Sequence, residues 1–175
     1  MRLVDRQIIY KHIIMNKSHL GFLQDKYMEI CVDIESHNYM SNFWNNTHIY
    51  IGIPTTLLSS LVTASIFSNL SNGQIIVGCI SLLITALSAL STFLNPTEKY
   101  LSHKTTKSSL ISLRDKAKIF IDSILENQEI DKEELKEFKR LIEQIYSNKP
   151  QVPEWVKDIA IKRVRKMQKL QLLNQ

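Results

Sequence analysis

Apolar residues recur along this chain in two rhythms, and both are helical. Leu23, Tyr27, Ile30, Ile34, His37, Ser41 and Trp44 follow one another at alternating steps of four and three. That spacing draws one seam down a helix. A shorter helical candidate over residues 2–16 carries Val4, Ile8, Ile9 and Ile13. Later, Leu110, Leu113, Ala117, Phe120 and Ile124 repeat in the same way and predict a long amphipathic helix over about 97–127. His103 falls on its stripe, two turns before Leu110. Asn127 to Glu129 interrupts the pattern. Asp131 and Glu134 have capping-box spacing, and Leu135, Phe138, Ile142 and Ile145 form the next stripe, on a helix over about 131–147. Pro150 and Pro153 mark a linker. A last helix over about 153–173 carries Val156, Ala160, Val164 and Met167 on one face, with Glu154 and Asp158 suited to its N-terminal dipole end.

The middle of the chain breaks this amphipathic habit. No Asp, Glu, Lys or Arg occurs between Glu35 and Glu98. Charged residues make up about a quarter of ordinary sequences, so a gap of this length is not chance, and it excludes a simple soluble globule. Residues 49–70 and 74–94 are almost entirely apolar or small. As helices they measure about 33 and 31 Å, against a hydrocarbon core of about 30 Å. Ser71-Asn72-Gly73 between them leaves room only for a tight turn. A chain of 175 residues is too short to surround two such helices with a soluble core. In lipid the backbone must satisfy itself, which requires helices. The expected fold is therefore all-α: a two-transmembrane helical hairpin whose long helices extend into a cytoplasmic helical bundle. N-terminal amphipathic helices occupy 1–47, the hairpin 48–96, and the C-terminal cytoplasmic helices 97–175.

Each span has two faces. In the second, Gly78, Ser81, Thr85, Ser88 and Thr92 form a stripe of small and hydroxyl residues, opposite Ile76, Ile80, Leu83, Leu87, Leu90 and Leu94. The first repeats this more weakly with Gly52, Thr56, Ser59 or Ser60, and Thr63. Such stripes serve close helix packing, or they line a narrow pore in an oligomer. The spans carry no charge, which argues against a proton relay or an ion-coupled transporter. Pro54 sits near the start of the first span, where it either kinks the helix or occupies a first turn without consequence. Trp44 and Tyr50 stand where an aromatic belt is expected.

Charge gives the orientation. Arg2, Arg6, Lys11, Lys17 and Lys26 precede the spans, the other cationic residues follow them, and the turn has none. Both termini are then expected on the cytoplasmic or equivalent interior side. No cleavable signal precedes the hairpin. The whole net charge of +5 arises after the hairpin. On the last helix Lys162, Arg165, Lys166 and Lys169 share one face, a candidate contact for anionic lipid or a phosphate ligand, or else a solvated surface. Nucleic acid is not an expected partner, because no recognition fold or stacking aromatic set accompanies these cations.

Signals for catalysis are weak. His12, His19, His37, His48 and His103 show no metal-binding spacing, Cys31 and Cys79 should not pair, and no phosphate-binding glycine loop is present. No metal, no cofactor and no enzymatic activity are expected. His37 and His103 could titrate near neutrality as switches, although packing at a helix seam is the plainer role. Asn69-Leu70-Ser71 matches a glycosylation sequon but lies too near the membrane to serve.

Three short motifs resemble the SLATT family of two-transmembrane effectors associated with nucleotide-signalling immunity. One is the exit from the second span, Phe93-Leu94-Asn95-Pro96-Thr97-Glu98-Lys99-Tyr100-Leu101-Ser102-His103, with Leu113 following. Another is Pro150-Gln151-Val152-Pro153-Glu154-Trp155. The third is the helix entering the first span around Asn46 and Ile53-Pro54. The resemblance covers roughly residues 5–170. It implies a membrane effector that oligomerises and permeabilises the bilayer when a partner sensor fires, without enzymatic activity. With no fused sensor in this chain, the sensor would act in trans. The competing expectation is a structural membrane anchor for a larger assembly, such as a viral internal membrane and capsid. The richness in Ile, Asn and Lys is compatible with that, as the composition of an AT-rich genome. Under either reading the partners are the bilayer, further copies of the chain, and a sensor or an assembly partner.

Overall fold

The computed structural model describes residues 3–67, 73–126 and 131–173. All regular structure among them is α-helix, in five elements: α1 (Leu3–Phe67), α2 (Gly73–Leu94), α3 (Pro96–Leu125), α4 (Lys132–Asn148) and α5 (Glu154–Leu173). The expected break between an N-terminal helix and the seam helix does not occur. Gly21 is the one Gly or Pro between the two patterns, and a single Gly costs a helix only about 1 kcal/mol, too little to break it. Pro54 consequently lies inside α1 rather than in a first turn. Having no N–H, it leaves the carbonyl one turn earlier without its usual partner. The Ser71-Asn72 part of the expected turn, the sequon and the interruption at 127–129 lie outside the described residues.

The chain divides into two compact units, one of residues 1–39 and 103–175, the other of residues 40–102. The first is a helical bundle. Its core is the predicted set of stripes brought together: Leu23 and Ile30 of α1, Leu110, Leu113, Ala117, Phe120 and Ile124 of α3, and Phe138 and Ile142 of α4. The rings of Phe120 and Phe138 meet edge to face at 5.3 Å. From α5, Val156, Ala160 and Val164 are buried. Met167, expected on the same face, is half exposed. Each end of this packing is fixed locally. Asp131 caps α4 by accepting a hydrogen bond from the Glu133 N–H at 3.1 Å, so the cap bond comes from one residue earlier than capping-box spacing places it. Pro153 starts α5, its carbonyl accepting from the N–H groups of Val156 and Lys157.

The second unit carries the apolar stretch. The helical segment Gln74–Leu125, which takes in α2 and α3, contains a window of mean hydropathy 2.2 that is long and apolar enough to cross a membrane, with none of it buried. Two spans are expected, but one qualifies among the described residues; the side chains of the α1 stretch are described only as far as Ser65. α2 and α3 meet at Asn95, whose φ of 42° puts it in the left-handed region. Its N–H donates to the Ser91 carbonyl at 3.0 Å, closing α2, and its own carbonyl accepts from Lys99 N–H at 3.2 Å, opening α3. Asn tolerates this conformation better than most residues, and Pro96 follows as a first helical residue with no N–H to satisfy. The Asn95 side-chain amide donates to the Glu98 carboxylate.

Candidate functional site

The bundle unit brings together two residues that the sequence marked by phase and as candidate switches. His37 of α1 and His103 of α3 are both buried, at 0% and 4% exposure. Their Nδ1 atoms lie 2.8 Å apart, and their rings are 5.1 Å apart at 41°. A bond between two imidazole nitrogens holds one proton, so one Nδ1 donates and the other accepts. His37 Nε2 is buried without a partner. An orphaned lone pair costs less than an orphaned N–H. The favoured arrangement therefore has His37 Nδ1–H donating to His103 Nδ1. Burial, and then His103 itself, lower the His37 pKa from 6.5 to about 4, against an opposing pull from Asp33. Burial also lowers that of His103. The pair is thus neutral in the folded state near neutral pH.

Around this pair is a polar layer that the sequence reading missed. Asp33, one turn before His37, is 7% exposed and pairs with Lys149 at 2.7 Å. The Lys149 ammonium also lies 4.0 Å from the centre of the Tyr146 ring. The Tyr146 hydroxyl is buried and makes no hydrogen bond. Burial and then the Asp33 and Glu29 carboxylates push its pKa well above the phenol range. Lys107 donates to Asn38 Oδ1 at 2.8 Å. The available signal for this layer was an acid one turn before a His of the seam. No group of three or more His, Cys, Asp or Glu that could hold a metal lies among the described residues. His12 and His19 have no described side chains. His48 contacts the Thr97 hydroxyl at 3.3 Å. Cys31, its thiol pKa raised by burial, and Cys79 are both unbridged.

The hydroxyl stripes are not where intrachain packing occurs. Gly78, Thr85, Ser88 and Thr92 are exposed, and Ser81 is partly covered. In α1, Thr56, Ser59, Ser60 and Thr63 are exposed and Gly52 is partly covered. A Cβ added at Gly52 or Gly78 would meet open space, so no helix approaches either. The partly covered positions of α2 are Val77, Ile80, Ser81, Ile84, Leu87, Ser91 and Leu94, which run between the two predicted stripes. The hydroxyls are nonetheless satisfied. Thr85 donates to the Ser81 carbonyl at 2.8 Å, Thr92 to that of Ser88 at 3.0 Å, and Thr56 to that of Gly52 at 2.9 Å. At one end of this unit, Lys99 lies 4.3 Å from the centre of the Trp44 ring, and Phe43 meets Trp44 edge to face. Tyr50 is 75% exposed.

The basic residues Lys162, Arg165, Lys166 and Lys169 are all exposed, on the side of α5 away from Val156, Ala160 and Val164. Arg163, which that grouping omits, pairs with Glu35 at 2.6 Å. α5 runs antiparallel to α1: Trp155 meets Tyr39 edge to face, and Gln168 donates to the Met28 sulfur.

Comparison with protein-family models, with curated proteins and with solved structures finds no match.

Proposed function

We propose that this chain is an integral membrane protein whose α2 and the apolar last third of α1 cross the bilayer as a hairpin, with both termini on the cytoplasmic or equivalent interior side. Copies associate, and the assembly permeabilises its membrane under the control of a partner sensor. The observation that carries the membrane part is the uncovered apolar surface of α2, where Ile75, Leu82 and Phe93 are 76%, 73% and 89% exposed. Each large apolar side chain left in water forfeits roughly 1.5–3 kcal/mol, which lipid would return. Ile53, Leu57 and Leu61 of α1 are exposed in the same way. The Lys99–Trp44 contact suits a headgroup belt. Permeabilisation is supported by the exposed hydroxyl stripe and by the resemblance to SLATT effectors.

A second reading, a structural anchor within a larger assembly, is favoured by one observation. The span hydroxyls donate to carbonyls of their own helix, so the stripe is satisfied without a water-filled channel. Purified protein reconstituted in vesicles separates the two. Release of a trapped dye together with resistance to alkaline extraction is expected for the effector. Resistance without release from an assembled sample would leave the anchor, and extraction by alkali would overturn the membrane assignment itself.

A further inference from the structure

Two surfaces of the bundle unit are complementary in charge, and within the chain the groove's Glu133 and Glu137 make only exposed i,i+3 pairs with Lys136 and Arg140. The first is a groove of about 410 Å³ between α3 and α4. Ile119, Phe120 and Phe138 form its apolar lining, and Glu133, Glu134 and Glu137 edge it. With Asp131 and Lys116 the lining carries four acids against one base. The second surface is the end of α5. Lys162, Lys166 and Lys169 recur at i, i+4 and i+7, and Leu173 is the next residue on that line. Leu173 is 80% exposed, and Leu170 beside it 50%. Val164 is the last buried residue of α5 among the described side chains, and beyond it Gln168 still bonds Met28 while Lys166, Lys169, Leu170 and Leu173 present a basic edge with an apolar tip.

We propose that the α5 end of one copy seats in the α3–α4 groove of a second copy, its leucines on the aromatic lining and its lysines against the glutamate edge. Charge complementarity selects this occupant over a lipid surface, because an anionic membrane would satisfy the lysines but repel the glutamate edge of the groove. The two surfaces are different parts of the chain, so the contact is head to tail and propagates into a ring or a filament. This rests on the association of copies proposed above and specifies how it occurs.

The test uses the full chain in nanodiscs or detergent, with native mass spectrometry or sedimentation reporting the assembly. Two variant sets are made, Lys162→Glu with Lys166→Glu and, separately, Glu133→Lys with Glu134→Lys. Each alone is expected to shift the protein to monomer at a concentration where the parent is assembled. Mixing the two is expected to restore assembly, since each set then meets its opposite charge. Helical circular dichroism and membrane retention control for folding. Assembly that survives both sets, or that does not return on mixing, overturns the contact and leaves the association of copies standing. A parent chain that is monomeric at every concentration overturns both. Loss of assembly in the lysine set alone, with binding to anionic vesicles lost in parallel, would assign the basic face to lipid and overturn the contact.

Discussion

At the scale of single residues, the buried histidine pair gives the clearest consequence. In the unfolded chain an imidazole takes its proton near pH 6.5, whereas His37 in the bundle resists until about pH 4. Between these values the unfolded state binds more protons. Stability is therefore full above about pH 6.5, declines as pH falls toward 4, and changes no further from this source below that. The difference is of order 3 kcal/mol, with His103 acting in the same direction. Denaturant unfolding followed by circular dichroism should show this loss, and His37→Gln should flatten the slope between pH 6.5 and 4. An unchanged slope in the variant would remove the pair as its source. Both histidines could be read from the sequence as seam positions, because His37 continues Leu23 and Ile30 while His103 precedes Leu110. Their contact could not be read: it joins residues 66 apart, and periodicity gives a residue its face but not the face opposite. Asp33 and Lys149 escaped for the same reason, since neither lies on a predicted stripe and their pairing joins α1 to the residue that ends α4.

At the scale of elements, the joint at Asn95 and the stripe on α2 make separate predictions. Asn95 holds a left-handed φ that a β-branched residue adopts poorly, so Asn95→Val should cost roughly 1–2 kcal/mol, while Asn95→Gly should be nearly neutral. Equal thermal stability in the two variants would show that the joint carries no strain. Thr85→Leu should leave membrane insertion intact and abolish dye release if the hydroxyl stripe faces a pore. Full release from vesicles bearing the variant would reduce the stripe to a lipid-facing surface. The core stripes of α3 and α4 were legible because soluble helices bury one face and period alone reveals it. The stripes of α2 were less so. In a helix apolar on nearly every side, small residues suggest a contact line, yet the covered line runs through Val77, Ile84 and Leu94 instead. The run of the seam helix into the apolar stretch was legible from its unbroken phase, whereas its continuity with residues 2–16 was not, because Gly21 and the polar residues 16–19 separate the two apolar patterns.

At the scale of the whole molecule, the distribution of charge predicts topology. Protease added outside sealed vesicles of defined orientation should reach both chain ends or neither, because the cationic residues lie on both flanks of the apolar segments and not between them. Cleavage at one end alone would leave a single crossing. The all-helical character was evident from the sequence. The bundle unit is assembled from residues 1–39 and 103–175, with the whole apolar segment inserted between its two parts. This has a consequence for biosynthesis. Leu23 and Ile30 leave the ribosome long before Leu113 and Phe138, the residues that will cover them. At elongation rates of about 5–20 residues per second the wait is on the order of 10 s. Throughout it, an amphipathic helix stands without its core while the apolar segment is being translated. Nascent chains halted before residue 103 should therefore be held by chaperones or degraded, and those released after residue 150 should not.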